Sequence, residues 1–508
     1  MTANDKQIPA PIHWPLMITG CFAVIWIVHR ALVQSITLDE ADTFHHWVAT
    51  ALPSHWESHS NNHVLNSTLM RVSIWLFGLG HFAVRAPALL GGVIYTFAAF
   101  RLCLLLTAGR AFTWVLFVCL VYNPFIMDYL VAARGYGLAL GFLSLGLYLL
   151  ASMIKQPSER RLAGVSACAG FSICANFSFA FVSIFLLLVA GVPLCLRLLG
   201  RKSRIHSWAR LLATWTLPAC AILLVLAGSA LTRFPRDQLF WGTHRWLETW
   251  NDIREASFVE LNPQIVNPLL ASLFRALDGQ LLRAIAVCVI LYLFLVLIST
   301  WYQAQDSAAR YRLWFAAGLA SVLALTISAH WLQLKVLRIP LPFERTSVFF
   351  VPLVTALAGT VLSIAPVNSL QRAVRGIGFT FLTITGLYFV GELRDSYFRE
   401  WRIGADVQAV FPTVVDLCRR TGVHAVVTDW NLVSSFNFYR LLYKANDVDE
   451  LSINDKMPAG RPIYVLQEFM YTDFIKREGL QVVWHGSASD LLVLVRPGTP
   501  GIATLPPP

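Results

Sequence analysis

The sequence predicts a polytopic α-helical membrane protein that ends in a small α/β domain. Of the 508 residues, 56% are hydrophobic and only 14% are charged, whereas a soluble protein carries about 25% charged residues. Long apolar runs recur between short basic segments as far as residue 392. Beyond that residue, apolar strands alternate with helical patterns, as they do in small α/β domains.

About eleven apolar runs approach the roughly 20 residues that a membrane-spanning helix needs. They cover residues 15–34, 83–107, 111–127, 134–153, 162–176, 178–199, 209–231, 281–301, 312–330, 346–365 and 374–392. The third, fifth and sixth runs are the weakest. Basic residues precede the fifth run and follow the sixth, which favours two crossings that divide at Asn176.

The net charge of +11 comes mainly from Lys and Arg in the short connections between spans, where the positive-inside rule places them. We therefore expect no nucleic-acid partner. Alternation of the spans gives a transmembrane domain at 1–392 with outer loops at 35–82, 123–133, 232–280 and 331–345. An extracytoplasmic α/β domain at 393–497 and a disordered tail at 498–508 complete the predicted organisation.

The C-terminal domain has the clearest local pattern. Strands are predicted at 425–428, 463–466, 481–484 and 491–495, and helices at 406–420 and 432–443. No glycine-rich dinucleotide or phosphate loop occurs there, so we expect no nucleotide.

The first outer loop carries the densest group of ionisable residues in the sequence. Its members are Asp39, Glu40, Asp42, His45, His46, His55, Glu57, His59 and His63. Such clusters are enriched at functional sites. Partial burial near the membrane surface would raise the pKa of Asp39 toward the working pH, which suits a general base.

A structural explanation for this loop remains open beside the catalytic one. Thr37 and Glu40 have the spacing of a capping box, in which Gln could replace Glu40 without loss. Apolar stripes predict two short helices on the membrane surface, one through Phe44 and Val48 and the other through Leu69. Asp42 and His46, four residues apart, are the candidate ligands for a divalent metal, although surface helices carry such pairs by chance.

The loop at 232–280 combines Trp241, Trp246 and Trp250 with several charged residues. It is either an interfacial aromatic belt or a lid that orders over bound substrate.

Four motifs in the first 150 residues resemble the GT-C superfamily of membrane glycosyltransferases, of the protein O-mannosyltransferase and lipid A aminoarabinose transferase type. They are LDEADTFHHW, NNHVLNSTLMRVSIWLFG, HFAVRAPALLGG and NPFIMDYLVAARGYGLALGFLSLGLYLL. Further on, PFERTSVFFVPL and the C-terminal domain are similar only in placement. The eukaryotic H-P-P type sequence is absent, which argues against a protein acceptor of the eukaryotic kind.

The resemblance implies an inverting enzyme that moves a sugar from a polyprenyl-phosphate donor to a glycan, lipid or protein acceptor. It implies a multi-pass protein of the cell envelope, in the bacterial inner membrane, with its site on the outer side and among membrane lipids. Asp39 matches the family's catalytic acid and Glu40 its neighbour, while Asp128 lies where related enzymes carry another acid. His63 matches a recurring loop histidine, and Arg134 with Tyr136 fits an A-R-G-Y pattern.

The chemistry also follows from the residue types. Displacing a lipid phosphate from a sugar needs a base for the acceptor hydroxyl and positive charge for the leaving phosphate. Asp39 is the candidate base, and Arg134 and Arg345 are candidates for the phosphate because a guanidinium binds two oxygens at once. Alternatively, Arg134 anchors the protein at lipid headgroups, and Arg345 belongs to a surface charge cluster with Glu344 or Lys335.

Two other classes of function compete with the enzyme. A transporter or flippase would place charges along a pathway through repeated halves, but the ionisable residues here concentrate in the outer loops. A receptor or scaffold would leave the Asp39 loop unexplained. No cofactor is certain, and a divalent metal stays open.

Overall fold

The computed structural model describes residues 13–49, 59, 61–107, 109–200, 205–232, 238–277, 279–300, 307–453 and 456–500. His55, Glu57 and residues 501–508 of the expected disordered tail lie outside this described part.

The fold class expected from the sequence is confirmed, since helices dominate the chain and one four-stranded sheet lies near its C-terminus. The first ten helices are α1 (Trp14–Val33), α2 (Leu38–Thr43), α3 (Val64–Phe77), α4 (His81–Leu106), α5 (Arg110–Val121), α6 (Pro124–Tyr129), α7 (Tyr136–Lys155), α8 (Glu159–Ala175), α9 (Ala180–Leu199) and α10 (Ile205–Thr232). They are followed by α11 (Trp246–Ser257), α12 (Pro268–Leu277), α13 (Gln280–Thr300), α14 (Ser307–Leu337), α15 (Phe350–Leu362), α16 (Ser369–Gly391), α17 (Val407–Thr421), α18 (Trp430–Leu442) and α19 (Glu468–Glu478).

In the described part of the chain, nine helices are long and apolar enough to cross a membrane. They correspond to nine of the predicted spans. The other two predicted spans are shorter helices, because Asn123 and Pro124 divide the third into α5 and α6, and α8 has only 17 residues. The predicted division at Asn176 is confirmed, because α8 ends at Ala175 and the Asn176 side chain caps the next turn.

Small residues let α4 and α7 approach closely at the centre of the bundle. A Cβ on Gly91 would lie 2.2 Å from the carbonyl carbon of Gly137, and one on Gly141 would lie 2.6 Å from the carbonyl oxygen of Gly91. Contacts between glycine backbones of this kind are a common basis of helix association in membranes. The crossing sets the position of the first turn of α7, which carries Tyr136.

The C-terminal sheet has the strand order β1-β2-β4-β3. Its strands are β1 (Val426–Thr428), β2 (Ile463–Gln467), β3 (Gln481–His485) and β4 (Leu491–Val495), which confirms the four predicted strands. β1 and β2 are parallel and are joined through α18, whereas β4 pairs antiparallel with both β2 and β3. Alternate residues of β2 face two layers, since Ile463 and Val465 join the core with α17 and α18, and Tyr464 and Leu466 pack with α19.

The first outer loop packs against this sheet domain, which differs from the predicted position of its first helix on the membrane surface. Phe44 and Val48, in a π-helical segment at Phe44–Ala49, are buried in the same core as residues of α17 and α18. The Phe44 ring lies edge-on to Phe438, with 5.5 Å between centroids. The apolar stripe through Phe44 and Val48 therefore packs against the sheet domain. Of the two predicted surface helices, only α3 leaves apolar residues such as Leu76 exposed.

A fully buried ion pair between Glu40 and Arg85 joins α1, α2, α4 and the turn before α7. Arg85 Nε and Nη2 donate to the two Glu40 oxygens at 2.9 and 2.8 Å. Arg85 also donates to the carbonyl oxygens of Ala31, Gln34 and Ser35 at the end of α1. The remaining acceptor positions of Glu40 take the backbone N–H of Ala133 and of Thr37.

This geometry confirms the capping box but changes what Glu40 does. Both carboxylate oxygens are occupied and the residue has 0% exposure, so Glu40 positions the loop. Burial raises the pKa of Glu40, but Arg85 and the backbone donors outweigh it and leave the pKa lowered. The expectation that Gln could replace Glu40 is reversed, because the neutral amide would leave Arg85 as a buried, unpaired charge.

Glu40→Gln should therefore lower the free energy of unfolding by about 3–5 kcal/mol, the usual cost of removing one partner of a buried ion pair. Thermal unfolding of the purified protein in detergent measures the change. The matched control is Glu450→Gln, which removes the partner of Arg440 from a carboxylate that is mostly exposed, and we expect a change within about 0.5 kcal/mol. Equal melting temperatures for the two variants would contradict the structural role of Glu40.

Candidate active site

Asp39 directly precedes Glu40 in α2, and its side chain lies beside a second group of cations. Its Oδ2 accepts a hydrogen bond from Trp401 Nε1 at 3.2 Å. Arg134 Nε and Arg345 Nη1 lie 3.5 and 3.6 Å from the same oxygen. Among the described residues these contacts all involve Oδ2.

The electrostatics of Asp39 differ from the prediction. Burial raises the pKa of its carboxyl, as expected, but Arg134 and Arg345 with the Trp401 N–H lower it by more. The net result is a lowered pKa, so Asp39 is ionised at any working pH. A carboxylate in this state is ready to accept a proton, although its basicity is weak until a charge nearby is neutralised.

Arg345 connects Asp39 to a second carboxylate. Its Nη1 donates to Glu400 Oε1, and its guanidinium lies 5.3 Å from the ring centroid of Trp241. The preceding residue, Glu344, has a φ of 48° in the left-handed region, a strain that persists mainly at functional sites. The turn Glu344–Ser347 at the start of α15 thus holds a guanidinium between two carboxylates.

Arg345 lines a cavity of about 390 Å³ at this end of the bundle. Its polar lining residues include Arg345, Asn61, His63 and Tyr136. Most of the lining area is apolar, and Ile173, Phe177, Phe181, Leu239 and Pro340 contribute to it. A ligand with a charged group and a hydrocarbon chain matches both parts.

Three of the four residues predicted to bind the donor, His63, Tyr136 and Arg345, line this cavity together. His63 is buried, and neither ring nitrogen has a hydrogen-bond partner among the described residues. Burial lowers the pKa of His63 well below its usual value, and Arg134 and Arg345 lower it further. The imidazole is therefore neutral and can donate one N–H to a ligand in the cavity.

Arg134, the fourth, does not reach the cavity. It is fully buried, and its guanidinium donates to the Asp39 carbonyl, to Thr43 Oγ1 and to Asn61 Oδ1 at 3.3, 3.0 and 2.9 Å. It is neither a lipid anchor nor a phosphate ligand in this arrangement, and it positions both Asp39 and the cavity residue Asn61. Gly135, with φ of 75°, lets the turn before α7 lie close to the end of α8, because a Cβ there would be 2.1 Å from the Ala175 carbonyl oxygen.

Asp128 belongs to a separate buried network. Its Oδ1 accepts from Arg30 Nη2 at 2.7 Å, and its Oδ2 accepts the backbone N–H of Arg399 at 2.9 Å, with Arg394 at 3.5 Å. It does not line the cavity. The structure thus places the predicted catalytic Asp128 in a charge-compensated contact that holds the segment after α16.

The candidate metal ligands Asp42 and His46 do not meet a third ligand in the described part of the chain. Asp42 Oδ1 accepts from the Ser434 hydroxyl, and His46 Nδ1 bonds to the Asp42 carbonyl oxygen at 3.0 Å. No group of three or more His, Cys, Asp or Glu side chains suited to a metal occurs among the described residues. The Asp42–Ser434 contact attaches α2 to α18.

The segment Arg399 to Trp401 contributes to the site and was not predicted. Trp401 bonds to Asp39, Glu400 bonds to Arg345 and to the Tyr129 hydroxyl, and Arg399 bonds to Asp128 and to Asp252 of α11. Burial raises the pKa of Glu400 more than Arg345 and Tyr129 lower it. The alternation of charged and aromatic residues just after the last span is a usable signal, although the predicted α/β domain at 393–497 includes it.

His330 and Gln333 of α14 also line the cavity without having been predicted. Trp241 of the long loop lies over Arg345, and Thr243 pairs with Leu341 through two backbone hydrogen bonds of 3.1 and 2.8 Å. Trp250 lies in α11 and packs on Phe350 at 5.0 Å between ring centroids. The loop thus has one tryptophan at the cavity and another against the helix bundle.

No protein-family model and no curated protein sequence matches the chain. Among solved structures, ArnT from Cupriavidus metallidurans in the apo state is 14% identical, with a TM-score of 0.48 over 97% of this chain and 99% of that chain. ArnT from the same organism bound to undecaprenyl phosphate is 12% identical, with a TM-score of 0.47 over 98% and 100%. Arabinosyltransferase EmbB from Mycobacterium smegmatis is 13% identical, with a TM-score of 0.38 over 72% of this chain and 32% of that chain.

Proposed function

We propose that the chain is a membrane glycosyltransferase that moves a sugar from a polyprenyl-phosphate donor to a glycan, lipid or protein acceptor. One observation carries the proposal: Arg345, whose Nη1 lies 3.6 Å from Asp39 Oδ2, lines a cavity with mainly apolar walls. A base and a phosphate-binding cation are the two groups that displacement of a lipid phosphate from a sugar requires. Here they are neighbours, and the cavity offers apolar walls to the part of the lipid next to the phosphate.

In this proposal the donor phosphate binds at Arg345, and His63 donates a hydrogen bond to the phosphate or to the sugar. The first isoprene units lie along the apolar wall that includes Phe177 and Phe181. Arg345 suits this role because its planar guanidinium binds two phosphate oxygens at once and stays ionised near lipid.

The transfer is a single displacement. Asp39 Oδ1 accepts the proton of the acceptor hydroxyl while the acceptor oxygen forms a bond to the anomeric carbon. The bond between that carbon and the phosphate oxygen breaks, its electrons leave with the polyprenyl phosphate, and Arg345 stabilises the charge. Attack from the face opposite the phosphate inverts the anomeric configuration.

The lowered pKa of Asp39 fits this order of events. Arg345 is one of the two cations that lower it. A donor phosphate on Arg345 would offset that charge and raise the pKa of Asp39 when the donor is bound. Asp39 would therefore become a stronger base only when the donor is bound.

We place the site on the extracytoplasmic side of the plasma membrane, the inner membrane of a bacterium. The arginines of the predicted cytoplasmic loops support this. Arg312 donates to the carbonyl oxygens of Leu106 and Ser363, and Arg375 donates to that of Leu362. These contacts gather at the ends of α4 and α15 that lie away from Asp39, as the positive-inside rule requires for an outer site.

Asp39→Asn should reduce kcat by about 10²- to 10⁴-fold, the usual contribution of a general base, because the amide keeps the shape but cannot take a proton. The measurement is sugar transfer by the purified protein in liposomes that contain a panel of polyprenyl-phosphate sugars. Asp395→Asn, which alters an exposed partner of His29, is the control and should keep wild-type turnover. Donor-independent lipid flipping without transfer would favour a transporter and remove the enzyme proposal.

For Arg345, we expect Arg345→Gln to raise the KM for the donor more than Arg345→Lys does, because lysine keeps the charge but not the two-pronged geometry. Removing the phosphate contact should also lower kcat, since the leaving group then develops its charge without a cation. Arg338→Gln, at an exposed position just after α14, is a charge-matched control. A normal donor KM in both Arg345 variants would exclude Arg345 as the phosphate ligand.

The pH dependence of kcat/KM should report two carboxyls with opposite shifts. As pH falls, Glu344 takes up a proton first, because burial raises its pKa to about 7. Glu400, whose pKa is also raised, follows, and the acid limb that it causes should lie above about pH 4.3, the ordinary value for Glu. In Glu400→Gln that limb should disappear, and the lowered pKa of Asp39 should place the remaining acid limb below about pH 3.9 on a lower plateau. An acid limb that stays in place would show that Glu400 does not control Arg345.

A further inference from the structure

A second cavity, of about 460 Å³, lies on the other side of the first turn of α15. Residues of α11, α13, α15 and α16 form most of it, and its walls are largely apolar, with Ile285, Val289, Val354, Leu382 and Phe389 among them. It shares no lining residue with the Arg345 cavity. Phe349 and Phe350, with ring centroids 4.5 Å apart, separate the two, since Phe349 stacks on His330 of the first cavity and Phe350 lines the second.

Two arginines mark one end of this second cavity. Arg254, near the end of α11, and Arg283, in the first turn of α13, are the only charged residues among the described residues that line it. Arg254 lies over Gly279, where a Cβ would be 3.1 Å from Nη1, and pairs with its neighbour Glu255 at 3.2 Å. Arg283 is exposed. Both guanidinium groups therefore stand at the level of the loop between α11 and α13.

This end of the cavity is the same end of the bundle as Asp39. Asp252 of α11 bonds to Arg399, and the Asn262 side chain donates to the Leu393 carbonyl oxygen at 2.7 Å. From Arg283 the cavity extends along α13 to Ile290, a distance of roughly 10 Å at 1.5 Å per residue. Its apolar part thus enters the membrane, while its cations stay at the surface.

The opening of the cavity faces the lipid. Ile290 and Val354 line it and are 68% and 42% exposed, and both belong to helices that are long and apolar enough to cross a membrane. A water-soluble anion would not enter a space bounded by hydrocarbon. A ligand that satisfies both parts has an anionic head group and a hydrocarbon chain.

We propose that this second cavity binds an anionic phospholipid of the surrounding leaflet, with its phosphate at Arg254 and Arg283 and one chain between α13, α15 and α16. The proposal is independent of the glycosyl transfer proposed above, because it concerns a different cavity and needs no donor. Arginine is suited to the phosphate because it binds two oxygens and tolerates the interface. The apolar walls would hold the hydrocarbon chain of the phospholipid in the cavity.

Trp250 lines this cavity and provides the measurement. The full-length protein is reconstituted in phosphatidylcholine bilayers that contain either brominated phosphatidylglycerol or brominated phosphatidylcholine at equal mole fraction. The fluorescence of Trp250 is obtained by subtracting the emission of Trp250→Phe from that of the wild type. We expect brominated phosphatidylglycerol to quench that difference at a lower mole fraction, with a preference of about fivefold per arginine, the equivalent of about 1 kcal/mol each.

Two further variants separate a specific site from general surface charge. Arg254→Gln combined with Arg283→Gln should remove the preference for phosphatidylglycerol, whereas Arg275→Gln, on an exposed face of α12, should keep it. Equal quenching by the two lipids in wild type would overturn the proposal. So would a preference that survives in the double variant, or one that Arg275→Gln abolishes as well.

Discussion

The ion pair between Glu40 and Arg85 is the contact on which the rest of the site depends. Arg85 satisfies the carbonyl oxygens at the end of α1, and Glu40 satisfies the backbone N–H groups at the start of α2 and before α7. Two charges at 0% exposure are tolerated only because every polar contact is met. With the backbone held in this way, the neighbouring Asp39 can only point toward Arg134 and Arg345.

Arg345 contacts two carboxylates, Asp39 and Glu400, whose pKa values are shifted in opposite directions. Asp39 has a lowered pKa because two arginines contact one of its oxygens, and Glu400 has a raised pKa because burial exceeds the effect of its single arginine. In the proposed function, a phosphate bound at Arg345 would compete with both carboxylates and change the basicity of Asp39.

The C-terminal domain is part of the site. Trp401 and Glu400 come from the segment that leads into it, and its α18 covers the first outer loop through Phe438 and Ser434. A loop that the sequence places at a membrane surface is instead enclosed between two domains. This enclosure accounts for the burial of Asp39.

The sequence by itself determined nine of the eleven predicted spans and the four strands, because hydrophobic periodicity depends on neighbours along the chain. Local motifs singled out Asp39, His63, Tyr136 and Arg345 as candidates. Only the tertiary structure decided which charges are used for folding. Glu40 and Arg134 resemble Asp39 and Arg345 in sequence context, yet each is fully buried among partners from distant segments. Likewise, Asp128 is neutralised by arginines of α1 and of the segment after α16, and Glu400 joins the site from the far end of the chain. Burial and pairing arise from contacts between residues far apart in sequence, and those contacts determine whether a carboxylate is a structural ion or a base.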